Sequence, residues 1–165
     1  MDTTPVISSL NNTYCQQIID IILPIQQIEF NVPITLEAQP DLLDIETNYH
    51  QTGGNFWGAT YNEQLVGTIA LIAFGNNAAA IRKMFVLKEY RGKELGIAQL
   101  LLDNLIAYCR QNNIADIYLG TVEMLKAAHR FYEKNGFTRL AKHELPKSFP
   151  LMAADTIFYE LHLKN

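Results

Sequence analysis

The segment YRGKELG, Tyr90 to Gly96, places an arginine, a lysine and two glycines between an apolar run that ends at Val86 and an apolar-periodic stretch that opens at Leu95. A turn of that kind can hold phosphate. The first N–H groups of a helix lack intrahelical partners and sit at the positive end of its dipole, so a glycine-bearing turn that feeds a helix can surround phosphate oxygens. Gly92 and Gly96 remove side chains where a ligand must come close, and Arg91 and Lys93 add charge, while Lys88 and Glu89 cancel. Read on its own, the same turn is also a solvated cap. The patterns GxxxxGK[ST] and GxGxxG are both absent, which argues against a P-loop nucleotidase and a dinucleotide-binding domain.

The elements that must position this turn follow from periodicity. Tyr14 to Gln26 is dense in apolar residues and predicts a buried helix that Pro24 ends or kinks. The Pro-rich loop from Phe30 follows, and then Asp41 is expected to cap a short helix through Tyr49. From Asn55, NFWGATY, QLVGTIALIAF and AAAIRKMFV are separated by turns at Asn62–Glu63 and Gly75–Asn77, which predicts an antiparallel meander. Leu95 to Gln111 carries a helical stripe, ADIYLGT a strand, Met124 to Asn135 a helix stopped by Gly136, and FTRLAK and DTIFYELHL two more strands. Meander followed by alternation predicts an α/β fold: a mixed, mostly antiparallel central sheet of about six or seven strands flanked by four helices.

The bulk numbers narrow the function. A chain of 165 residues is expected to form a single domain over 1–165. Its net charge of −4, with no long run of like charge, lacks the footprint of a nucleic-acid binder. MDTTPVISSL has no sustained apolar core and no later stretch is a membrane span, so a cytoplasmic protein with no membrane partner is expected. Cys15 and Cys109 read as reduced thiols, and the histidines at 50, 129, 143 and 162 are scattered, so no metal site is expected.

Two motifs resemble a known family. MFVLKEYRGKELGIAQLLL, Met84 to Leu102, is similar to the acyl-CoA loop of the GNAT N-acetyltransferase superfamily, [QR]-x-x-G-x-[GA]. AAHRFYEKNGF, Ala127 to Phe137, is similar to its second motif, and a helix and a strand separate the two as the family requires. The resemblance implies that acetyl-CoA is the co-substrate, bound by Met84, Phe85 and Val86 and by the turn Arg91, Gly92, Lys93, Glu94, Leu95, Gly96 and Ile97. The chain departs from the pattern at Glu94, where the first glycine usually stands, and at Leu125, where an Asn often contacts the cofactor.

In the family the fourth strand splays from the fifth, so free backbone groups pair with the pantetheine arm and one N–H faces the thioester oxygen. Tyr132 matches the tyrosine whose phenol protonates the leaving thiolate. No general base is named: the strand from Ala78 to Val86 has no carboxylate, and Glu123 just past the fifth strand, Glu37 in the long loop and water are all left open. Arg82 shares a face with Ala80 and Met84 by period-two alternation, and its charge either pairs locally or draws an anionic group of the acceptor. The loops Phe30 to Pro40 and His143 to Met152 are expected to shape the acceptor pocket. The expected activity is acetyl transfer to a primary amine of a small molecule by direct attack in a ternary complex. A protein or peptide acetyltransferase and a non-catalytic acyl-CoA-binding module are the alternatives. Exposed strand edges leave a homodimer open.

Overall fold

The computed structural model describes residues 4–163, so the first three residues of the stretch read for a leader lie outside the described residues. Seven strands form one sheet in the order β1-β2-β3-β4-β5-β7-β6. β1 is Val6–Ser9, β2 Asn55–Tyr61, β3 Gln64–Phe74, β4 Ala78–Val86, β5 Asp116–Thr121, β6 Thr138–Leu140 and β7 Ile157–His162. Among the described residues only β4 and β5 run parallel; every other neighbour is antiparallel. The expected mixed, mostly antiparallel sheet is therefore present, with one strand the sequence reading missed. β1 escaped notice because its four residues, VISS, are mostly exposed and carry no alternation.

The β2–β3 turn shows why the meander forms. Asn62 and Glu63 both have positive φ, 50° and 66°, the twist that two-residue hairpin loops need. A parallel β4–β5 pair cannot be joined by a hairpin, and α3, Ile97–Gln111, makes the crossover. Its stripe of Ile97, Leu101, Leu105 and Cys109 is buried against Ile69, Leu71 and Ile81 on one face of the sheet, which α4, Lys126–Lys134, also covers. On the other face α1, Cys15–Pro24, buries Ile18 and Ile22 with Phe56 and Ala70. Beyond them, Tyr118, Phe149 and Phe158 form a smaller cluster under the 143–154 segment.

One local expectation holds and one changes. The α-helix ends at Pro24 as expected, and the chain continues as a π turn over Ile25–Glu29, with Phe30 N–H donating to Ile25 O at 3.0 Å. Proline has no N–H to complete the α ladder, and the wider turn absorbs that gap. The helix expected from Asp41 to Tyr49 is broken into a 3-10 turn, Pro40–Leu43, the single turn α2, Ile45–Asn48, and a second 3-10 turn, His50–Thr52. Asp44, not Asp41, caps α2 by accepting from Thr47 N–H. Among the described residues no helix is long and apolar enough to cross a membrane.

Candidate active site

The site begins where the parallel ladder stops. β4 pairs with β5 only from Ala78 opposite Asp116 to Ile81 opposite Leu119, although β4 runs on to Val86. The strands part there. Residues 82–86 thus face an open cleft, and buried backbone groups in such a gap favour a ligand that replaces the missing strand. Two connected cavities, of about 150 and about 300 Å³, occupy the cleft and share Phe30, Met84, Phe85, Leu125, Ala128 and Tyr132 as walls.

The larger cavity opens beside the glycine turn. Gly92 has φ +120° with no atom near its missing side chain, and Gly96 has φ +62° as the residue before α3. The value at Gly92 suits glycine alone, and that at Gly96 favours it, so the turn is a backbone device. No side chain caps α3 and no acid sits in its first turn, which leaves its N–H groups for an anion. Glu94 is exposed, and no hydrogen bond or ion pair ties its carboxylate to the turn among the described residues. Leu95 and Ile97 pack in the core, so they can contribute only backbone. This arrangement fits a pyrophosphate-bearing group.

Arg91 differs from the expectation of a free cation. Its guanidinium pairs with both Glu29 oxygens, donates to Val86 O at 2.8 Å and lies over the Phe30 ring. The arginine beside Glu29 holds that carboxyl below the usual range. A bidentate pair of this kind ties the end of the π turn to the phosphate turn. Lys93 is the remaining exposed cation of the segment.

Tyr132 stands at the junction of the two cavities. His129 Nε2 lies 2.9 Å from Val122 O and so donates to it, fixing α4 to the end of β5, while Tyr132 packs against Phe137 and Tyr159. The phenol O–H points to Met84 Sδ at 3.5 Å. Burial, and then the charge of Asp155, push the phenol pKa well up, so Tyr132 keeps its proton at neutral pH. Leu125 replaces a polar neighbour with an apolar wall in both cavities.

The smaller cavity carries the charges. Lys83 has φ +54°, and the β3–β4 register shifts between Thr68 and Ala70, so β4 holds a bulge at Lys83 that Thr68 Oγ1 stabilises by donating to Lys83 O at 2.7 Å. The bulge corrects the alternation expected for Arg82. Arg82 faces the cavity and donates to Pro150 O, whereas Met84 packs with the α3 and α4 side. One extra residue reverses every side chain beyond it.

Sequence reasoning passed over two residues here. Lys83 is 8% exposed, donates to Gln39 Oε1 and lies 3.5 Å from Asp41 Oδ2, and Asp41 also accepts from the Tyr49 hydroxyl. Burial lowers its pKa against the pull of Asp41. Two adjacent basic residues in an otherwise apolar strand were the available signal: in a regular strand they point to opposite faces. Asp155 is the other. Its carboxyl lies over Gly120, where a built Cβ would come within 2.5 Å of Oδ2, and burial raises its pKa to about 6 despite Arg82 and Lys83. No spacing in the sequence marks it.

Both expected loops do reach this cavity, through Phe30, Val32, Ile34 and Gln39 from one and Met152 from the other. Phe149 instead packs with Tyr118 and Phe158.

Comparison with known proteins agrees with the geometry. The family model described as acetyltransferase (GNAT) family matches residues 19–137. N-acetylaspartate synthetase of Danio rerio is 38% identical over 106 residues, which are 63% of this chain and 37% of that protein. The enzyme of that name from Xenopus tropicalis is 34% identical over 127 residues, 73% of this chain and 45% of its own length. The chain thus spans less than half the length of these curated relatives. Among solved structures, an acetyltransferase of the GNAT family from Staphylococcus aureus is 44% identical with a TM-score of 0.94, covering 98% of this chain and 100% of that one. An acetyltransferase from Streptococcus agalactiae is 31% identical with a TM-score of 0.92 over 98% and 100% of the two chains. With splayed central strands, a glycine turn before α3 and a tyrosine between them, the chain belongs to the acetyltransferase (GNAT) family.

Proposed function

We propose that this chain transfers an acetyl group from acetyl-CoA to the primary amine of a small molecule that carries a carboxylate. The observation that carries the reading is the single cleft between β4 and β5, with the phosphate turn at one mouth, Arg82 at the other and the Tyr132 hydroxyl between. The turn from Arg91 to Ile97 holds the pyrophosphate through backbone N–H groups, and the open edge from Met84 to Val86 pairs with the pantetheine arm. Bound acetyl-CoA supplies the activated acyl group. Tyr132, kept protonated by burial, donates its proton to the leaving sulfur. A β4 backbone N–H steadies the carbonyl oxygen as negative charge grows there.

The acceptor reading rests on charge. Arg82 lines the smaller cavity, and Asp41 and Gln39 already engage Lys83, which leaves the guanidinium as the cation for an anionic substrate group. The relatives named N-acetylaspartate synthetase support an amino acid of this kind.

The first test is a thermal melt with acetyl-CoA, with ATP and NAD as controls. Ligand at 100 times its dissociation constant adds about 2.7 kcal/mol, or roughly 5 to 10 °C for a domain of this size. A shift with acetyl-CoA alone is expected. Thiol release is then followed with L-aspartate, L-glutamate, ethanolamine, spermidine and a lysine peptide as acceptors. The amino acids should lead, and a preference for the peptide would replace the small-molecule reading with peptide acetylation.

A further inference from the structure

Asp155 lies two residues before β7 on the acceptor side of the cleft, near the charges of Arg82 and Lys83. β5 makes room for it by carrying Gly120, because a Cβ at that position would press within 2.5 Å of Oδ2. Among the described residues its side chain makes no hydrogen bond or ion pair. Neither nearby cation bonds it: Arg82 donates to Pro150 O, and Lys83 to Gln39 Oε1 beside Asp41. The carboxylate is half-buried in the wall of the smaller cavity, open on that side to a donor that the cleft receives.

We propose that Asp155 is the base of the reaction, taking a proton from the acceptor nitrogen beside Tyr132. This rests on the acetyl-transfer reading above. The acceptor enters as an ammonium, drawn to Asp155 while its carboxylate faces Arg82, and Asp155 takes one proton and frees the nitrogen lone pair. The C–N bond forms as the carbonyl electrons move to oxygen; their return breaks the C–S bond, and sulfur leaves with the electron pair and the Tyr132 proton. The second proton of the nitrogen restores the phenol, and Asp155 passes the first to solvent. Two protons leave nitrogen, one ends on sulfur, and the enzyme is unchanged.

The titratable and charged groups that face Asp155 are Arg82 and Lys83 from β4 and Tyr132 from α4. The two cations hold the carboxyl down and burial lifts it further, to about 6, so it is ionised at neutral pH yet more basic than an exposed aspartate.

The test compares wild type, Asp155→Asn and Asp155→Glu, using whichever of the five acceptors gives the highest wild-type rate, from pH 5 to 9. The amide should lower kcat by roughly 10² to 10⁴ and abolish the acid limb near pH 6, with the acetyl-CoA thermal shift unchanged. The glutamate should keep the acid limb and part of the rate. The melting midpoint of Asp155→Asn without ligand at pH 7.5 should equal or exceed that of wild type, which separates lost chemistry from lost folding. A kcat within threefold of wild type, or a raised KM with the acid limb intact, would overturn the inference and leave acetyl transfer standing. Absence of thiol release by the wild type with all five acceptors would instead overturn acetyl transfer itself.

Discussion

At one mouth of the β4/β5 cleft the chain offers backbone, and at the other it offers side chains. The donor mouth is a short continuous segment, Arg91 to Ile97, whose two positive-φ glycines and uncapped helix start do the shaping. The acceptor mouth draws Arg82 and Lys83 from a strand bulge, Gln39 and Asp41 from an early loop and Asp155 from the approach to the last strand. A backbone cradle tolerates changes such as the exposed Glu94, because it asks only for the right φ values. A side-chain pocket does not. Arg82, Lys83 and Asp41 are each held by one or two partners and Asp155 by none, so a single substitution alters what the pocket accepts.

The largest break in this comparison should come at the junction itself. Tyr132→Phe removes only the proton donor, so turnover should fall roughly 10²- to 10⁴-fold while the acetyl-CoA thermal shift is preserved. An unchanged rate would remove Tyr132 from the chemistry. Next comes a pH effect on stability in the absence of ligand. Asp155 is raised from 3.8 to about 6 in the folded protein, so the folded form binds the proton more tightly than the unfolded one. Its contribution to stability is present below about pH 4, falls as pH rises to about 6 and is flat above, with an upper limit of about 3 kcal/mol at about 1.4 kcal/mol per unit. Urea melts of wild type and Asp155→Asn across that window should diverge as pH rises, with the variant the more stable.

Smaller effects separate the two mouths. Arg82→Ala should raise KM for a carboxylate-bearing acceptor about 10- to 100-fold, the worth of one charge-assisted contact, and leave that for acetyl-CoA unchanged. Gly92→Ala should do the reverse: a Cβ at φ +120° meets no neighbour but is strained, and about 1 to 3 kcal/mol of backbone strain should weaken acetyl-CoA binding about tenfold. Titration calorimetry with each substrate distinguishes the two. Last, Glu29→Gln releases Arg91 from its bidentate partner. A partly exposed pair is worth roughly 0.2 to 1 kcal/mol, so acetyl-CoA affinity should rise up to about fivefold at low salt and converge with wild type at high salt.

The expectations drawn from residue order held where the physics is local. The hairpin at Asn62–Glu63, the α3 stripe and the glycine turn each depend on φ preferences or spacing within one element, and each stands where the sequence places it. They missed where a distant element intervenes. α2 shrinks to one turn because Asp44 takes the cap while Asp41 is drawn to Tyr49 and Lys83. Arg82 and Met84 part company because β3 imposes a bulge on β4, an effect of pairing register that strict alternation cannot reveal.

The sequence by itself determined the order of strands and helices from β2 onward, the two ordered motifs and the backbone turn that awaits a phosphate, since all of these are written in short-range periodicity and in glycine placement. Only the tertiary structure decided which charges meet. Antiparallel pairing of β5 with β7 sets Gly120 opposite Phe158 and brings Asp155 over the glycine, across more than thirty positions of chain. Burial then raises the carboxyl's proton affinity, and burial depends on what packs around a residue, which no neighbour in the sequence can specify.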